Sequence, residues 1–196
     1  MKRIIIVTAM ILAIPHAAVA STWNIDPDHS NLGFKIKHLM VSNVKGNFNI
    51  YSGIVEINDK DTTKSKVEVT IDTNSVNTNV KKRDDHLRSA DFFDVAKYPT
   101  MTFVSKKVTI VGQDKLKITG DFTLHGVTKE VVLDLEGPTA ESKDPWGNTR
   151  KGITATTKIN RKDYGLMWNQ ALETGGVLVG DEVDITLEVE MIKKQQ

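Results

Sequence analysis

The sequence predicts an all-β protein: an eight-stranded antiparallel β-barrel with a short helical flap. Three observations carry this. Apolar and polar residues alternate strictly through most of the chain, the period of a strand with one buried face. The connections between alternating runs are short, as in VGQDK (111–115) and LHGVTK (124–129), so neighbouring runs pair as antiparallel hairpins. Two longer interruptions, 74–99 and 160–180, are the exceptions, and insertions of that length in a small barrel are functional or close an end.

The chain opens with Lys2-Arg3, an apolar stretch over 4–14, Pro15, and the small-x-small site Ala18-Val19-Ala20. This pattern predicts a cleaved signal peptide over 1–20 and a mature domain over 21–196, exported to the periplasm. The apolar stretch is too short to span a bilayer comfortably. Losing Lys2 and Arg3 turns the formal net charge from +1 to −1, so no basic field remains for nucleic acid. There is no Cys, which excludes disulfides, thiol chemistry, haem attachment through CxxCH and iron–sulfur clusters.

The strands follow in order. Leu32, Phe34 and Ile36 alternate with Gly33, Lys35 and Lys37. Phe48 and Ile50 begin a second run whose phase slips near Ser52-Gly53, since Val55 and Ile57 then carry the apolar face; a bulge at Gly53 accounts for it. Val67, Val69 and Ile71 form the third, and Met101 and Phe103 open a fourth reaching about Ile110. Leu116, Ile118, Gly120, Phe122 and Leu124 make the fifth, and Val131, Leu133 and Leu135 the sixth. Ile153, Ala155, Thr157 and Ile159 make the seventh, and Val183, Ile185, Leu187, Val189 and Met191 the eighth. Helices on both faces of a sheet would demand continuous apolar runs instead. Such a meander closes into a barrel or folds into a sandwich; closure removes exposed edges, which favours the barrel.

The first insertion holds RDDHLRSADFFDVAKYP (83–99). Asn79 is placed to cap a helix over about 80–89, supported by Lys81–Asp85 and Asp84–Arg88 pairs. Val80, Arg83, Asp84 and Leu87 then share one face, which puts an Arg and an Asp in the apolar stripe. Two readings stand: a polar handle at a cavity mouth, or an internal Arg–Asp bridge bonding loop carbonyls. A further turn presents Phe92 and Phe93, and Tyr98-Pro99 ends it. In the second insertion Trp168, within YGLMWN (164–169), is the better pocket candidate; Trp146 reads as a loop anchor.

Enzyme signatures are missing. There is no GxSxG, HExxH or HxH, and His29, His38, His86 and His125 lie in separate segments. Asp26-Pro27-Asp28-His29-Ser30 reads as an Asx turn entering the first strand, and 59–66 as a solvated turn. No catalytic residue, metal ligand or cofactor is assigned.

Several fragments together resemble one family. WNIDPDHSNLGFKIKHL (23–39), VKGNF (44–48), RDDHLRSADFFDVAKYPTMTF (83–103), GDFTLHGVTKEV (120–131), INRKDYGLMWN (159–169) and VGDEVDITLEVE (179–190) occur in the order seen in YceI-family proteins. Lys129-Glu130 departs from the Arg-Pro or Lys-Pro usual there. The resemblance implies a lipocalin-like barrel holding a long isoprenoid or other amphiphilic lipid along its axis, without catalysis. The residues expected to line the ligand are Phe34, Ile36, Phe48, Val69, Phe103, Phe122 and Leu124, with Arg83, Asp84, Leu87, Phe92, Phe93 and Trp168 from the insertions. Transient contact with the membrane, or with its redox or lipid enzymes, follows from such a ligand, and a homodimer is left open. Two other functions compete: an enzyme acting on an isoprenoid, and a ligand-free barrel with a filled core.

Overall fold

The computed structural model describes residues 20–173 and 175–195. The expected leader lies outside the described residues except for Ala20, which begins the first strand. Twelve strands and one α-helix follow: β1 (Ala20–Ile25), β2 (Asn31–His38), β3 (Ser42–Phe48), β4 (Tyr51–Asn58), β5 (Lys66–Asp72), β6 (Val76–Asn77), α1 (Lys81–Arg88), β7 (Thr100–Gly112), β8 (Lys115–Leu124), β9 (Val127–Glu136), β10 (Ser142–Lys143), β11 (Thr149–Asn160) and β12 (Val179–Lys193).

Register reduces these to eight staves. Along β12, β1 pairs through Ile25↔Met191 and β2 through Leu32↔Leu187, so β1 and β2 are one bent stave. Its neighbour is bent in the same place: β3 lies on β2 through Phe48↔Leu32, and β4 on β1 through Ile54↔Asn24. The third is β5 on β4 with β6 on β3. From there β7, β8, β9, β11 and β12 follow, each paired antiparallel with the one before, and β12 meets the first stave to close the ring. The expected eight-stranded antiparallel barrel is therefore found, including both long insertions at their expected places.

The bends have local causes. Pro27 opens a 3-10 turn, Pro27–His29, whose cap is the Asp26 carboxylate accepting from Asp28 N at 3.2 Å. This is the expected Asx turn entering the strand of Leu32, Phe34 and Ile36, here β2; the strand β1 that precedes it was not anticipated. In the second stave the ladder breaks at Asn49-Ile50. Gly53, where a bulge was expected, pairs in register with Val69. Its role is close approach: a Cβ there would stand 2.6 Å from Ile25 Cδ1 and 2.9 Å from the Glu68 carbonyl. The register shifts fall in β7, at Ser105/Lys107 and Ile110/Gly112, and in β12 at Val179/Val183.

The helix also departs from expectation. Val80 is its N-cap, no side chain bonds its first turn, and Asn79 stands before it at φ 61°. Lys81–Asp85 forms at 2.6 Å, but Asp84–Arg88 does not. Arg88 instead donates to the carbonyls of Asn74 and Val76 and to Asp85, tying the helix to the strand it left.

Candidate functional site

Strand alternation sends one side chain in two to the barrel axis, and eight staves leave an interior wide enough for one small ligand. Here they enclose a cavity of about 400 Å³ that runs from the helical insertion towards Thr62, Ser65 and Lys66 at the opposite end. This lies within the roughly 300–1,000 Å³ usual for small-molecule sites. Phe34 and Ile36 reach it from β2, Phe48 from β3, Val69 from β5, Phe103 from β7, and Phe122 and Leu124 from β8. Arg83, Leu87, Phe92, Phe93 and Trp168 line it from the insertions.

Asp84 does not. Its side chain is buried beside the cavity, where Oδ1 accepts from both the N–H and the Oγ1–H of Thr78. The helix is rotated relative to the expected face: Arg83, His86 and Leu87 look inward, and Val80 is exposed. No Arg83–Asp84 bridge forms. Thr78 stands between them, accepting from Arg83 Nε at 2.7 Å while its carbonyl accepts from Nη2 at 2.9 Å.

The two phenylalanines part company. Phe93 descends onto Phe48 (ring centroids 5.6 Å), which itself meets Phe34 at 5.8 Å. Phe92 stays in the lid, where Phe92, His86 and Trp168 pack mutually at 4.9–5.1 Å. His86 Nε2 lies 2.9 Å from the Asp91 carboxylate, fastening the helix to the following turn. Sequence reasoning missed His86, because only the true helix phase brings it round to Trp168.

It also missed Arg161. This side chain is 3% exposed and donates to the carbonyls of Gly180 and Leu166, locking the second insertion across its base. Burial pulls its pKa below the ordinary value, and Asp181 at 3.6 Å opposes that. An Arg directly after a strand, in INRKDYG, was the available signal.

The far end holds a second charged group. Asp26, His29 and Glu190 bring three potential metal-ligand atoms within 4.8 Å of one another. Arg150 Nη1 already bonds Asp26 at 2.6 Å and Glu190 at 2.5 Å, and its Nε bonds Asp144 at 2.7 Å. A guanidinium thus supplies the positive charge these carboxylates need. Trp146, expected to anchor its loop, is 80% exposed at the β10–β11 turn; Asp144 organises that turn instead, accepting from the amides of Trp146 and Asn148.

A closed antiparallel barrel with an apolar axial cavity under a helical lid defines the class of lipocalin-like barrels. The chain belongs to the YceI family: the model of the YceI-like domain matches residues 23–191. A UPF0312 protein of Vibrio parahaemolyticus is 38% identical over 200 residues, covering 99% of this chain and all of the relative. A UPF0312 protein of Staphylococcus aureus is 41% identical over 171 residues, 87% of this chain and 96% of the relative. Among solved structures, a Campylobacter jejuni YceI protein superposes with TM-score 0.69 at 38% identity, covering 87% of this chain and 96% of its own. A polyisoprenoid binding domain from Saccharophagus degradans has the same fold at 18% identity, with TM-score 0.61, covering 88% of this chain and 98% of its own.

Proposed function

We propose that this protein binds and carries a long isoprenoid or similar single-tailed amphiphilic lipid in the barrel, in the periplasm, and that it does so without turning the lipid over. The observation that carries the reading is the apolar cavity along the barrel axis, walled by side chains from every stave. Burying about ten methylene equivalents supplies roughly 8 kcal/mol before association costs, so a tail alone can hold the ligand. The polyisoprenoid binding domain of the shared fold supports the same ligand class.

The lidded end suits exchange at a membrane. The β2–β3 turn there exposes Leu39, Met40 and Val41, the last at 81%. Leu39 and Met40 both sit at positive φ (53° and 60°), where Asn or Gly is the unstrained choice. Large apolar side chains held there at a cost in strain, beside the opening, fit transient insertion among lipid headgroups.

Organic extraction of the purified protein followed by mass spectrometry tests the function. An intact isoprenoid or long-chain lipid is the expected result. A chemically altered one would favour the enzyme. A protein that takes up no lipid from a supplied series would favour the ligand-free barrel. Phe122→Ala adds a check: at a cavity wall it should weaken lipid affinity more than apo stability, whereas a filled core would lose about 3–5 kcal/mol.

A further inference from the structure

We propose that the lidded end of the cavity is a subsite for an oxyanion headgroup, a phosphate or a carboxylate, held by Arg83. This rests on the lipid-binding reading above and names the chemistry at the polar end of the ligand. Every ionisable residue lining the cavity is basic or imidazole: Lys37, His38, Lys66, Arg83, His86 and Arg161. No Asp or Glu lines it among the described residues, although acidic and basic residues are nearly equal in number over the whole chain.

Arg83 differs from the other described arginines. Arg88, Arg150 and Arg161 each have a carboxylate oxygen within 4.0 Å, and Arg83 has none among the described residues. The nearest candidate in sequence, Asp84, is committed elsewhere, because its Oδ1 takes both donors of Thr78. Thr78, so held, accepts from Arg83 Nε and, through its carbonyl, from Nη2. The guanidinium is therefore fixed along one edge, and Nη1 makes no hydrogen bond among the described residues. Arg83 is half-buried in an apolar wall with the Asp84 charge reaching it only through Thr78, and an anion arriving with the ligand would meet its free edge directly. A neutral carbonyl or hydroxyl headgroup would gain a hydrogen bond but bring no charge into direct contact with the guanidinium. Asp84 is thus a positioning residue, acting on the headgroup only through Thr78 and Arg83.

The test uses delipidated protein and three probes: geranylgeranyl phosphate, geranylgeraniol and inorganic phosphate. The phosphate ester is expected to bind at least about tenfold tighter than the alcohol, as a charge-assisted bond warrants. That gap should shrink as salt is raised, and Arg83→Met should abolish it, with the ester losing at least about tenfold more affinity than the alcohol. Arg83→Lys, which keeps the charge but not the fork, should retain part of it. Palmitate against hexadecanol repeats the comparison for a carboxylate, and a gap with either acid supports the subsite. Inorganic phosphate should not displace the alcohol at millimolar concentration. Equal affinity of acid and alcohol in both pairs, phosphate ester and palmitate alike, for the unaltered protein overturns the proposal, and that comparison needs no variant. So does an equal loss of both with Arg83→Met, which would make Arg83 a packing residue of the lid, or inorganic phosphate binding as tightly as the ester. Alcohol binding without a gap leaves the lipid-binding reading standing; failure of every isoprenoid removes that reading as well.

Discussion

Trp23, at the end of the barrel away from the lid, is fully buried, and its Nε1–H donates to Ser21 Oγ at 2.9 Å. Lys151 and Lys193 lie over its ring at 5.2 and 5.4 Å, and close by Arg150 gathers three carboxylates. Trp168, at the lidded end, is only half-buried and packs edge-to-face on His86 and tilted against Phe92, on segments that are not strands. Arg83 there has no carboxylate within 4.0 Å among the described residues. The far end satisfies Trp23 and Arg150 within the fold; the lidded end leaves Trp168 partly uncovered and Arg83 without a carboxylate in direct contact. The difference teaches where this molecule concentrates stability and where it keeps surface for a ligand.

The comparison can be broken at its strongest point first. Trp23→Ala should cost about 3–5 kcal/mol of folding stability, read by urea denaturation, because a fully buried ring leaves a cavity the rigid end cannot close. Trp168→Ala should cost only about 1 kcal/mol, the scale of an aromatic pair at a partly exposed site, while lipid affinity falls. Equal stability losses at the two tryptophans would erase the distinction.

The exposed turn sharpens it. Leu39→Asn with Met40→Gly should raise stability by roughly 1–2 kcal/mol, since two positive-φ positions are relieved, and should reduce co-sedimentation with anionic phospholipid vesicles. A variant that is more stable yet binds vesicles as before would remove that turn from any membrane contact.

The smallest effect is in acid. Burial alone would raise the pKa of Asp144, but bonds from Arg150, from Asn148 and from the Trp146 amide outweigh it, holding the value at about 2 against an ordinary 3.8. A carboxylate depressed in the folded state stabilises the fold above its unfolded pKa, and the contribution is lost as pH falls through the folded value. Stability should therefore decline between about pH 4 and pH 2, and Asp144→Asn should flatten that slope. A slope unchanged in Asp144→Asn would assign the acid sensitivity to other carboxylates.

Strand identity was legible because a period of two is a local property: each run names its own inward face, and Phe34, Phe48, Val69, Phe103 and Phe122 followed directly. The bend at Asn49-Ile50 was misplaced to Gly53, because both explanations shift the phase alike. Only pairing shows that Gly53 stays in register with Val69 and is small to admit Ile25. The helical segment was legible as a helix and as a lid, but its rotation was not. An eight-residue helix with few apolar side chains has no stripe strong enough to fix its phase.

From the sequence alone came the all-β class, the eight-strand order, the inward set and the two insertions, since alternation and turn length are encoded residue by residue. Tertiary structure decided the rest. It turned Asp84 away from the cavity and onto Thr78, brought His86 to Trp168, buried Arg161 under the second insertion, and gave Arg150 the carboxylates of Asp26, Asp144 and Glu190. Asp26 and Arg150 are 124 residues apart in the chain. A charge finds its partner through space after the ring has closed, and no local pattern records which partner that will be.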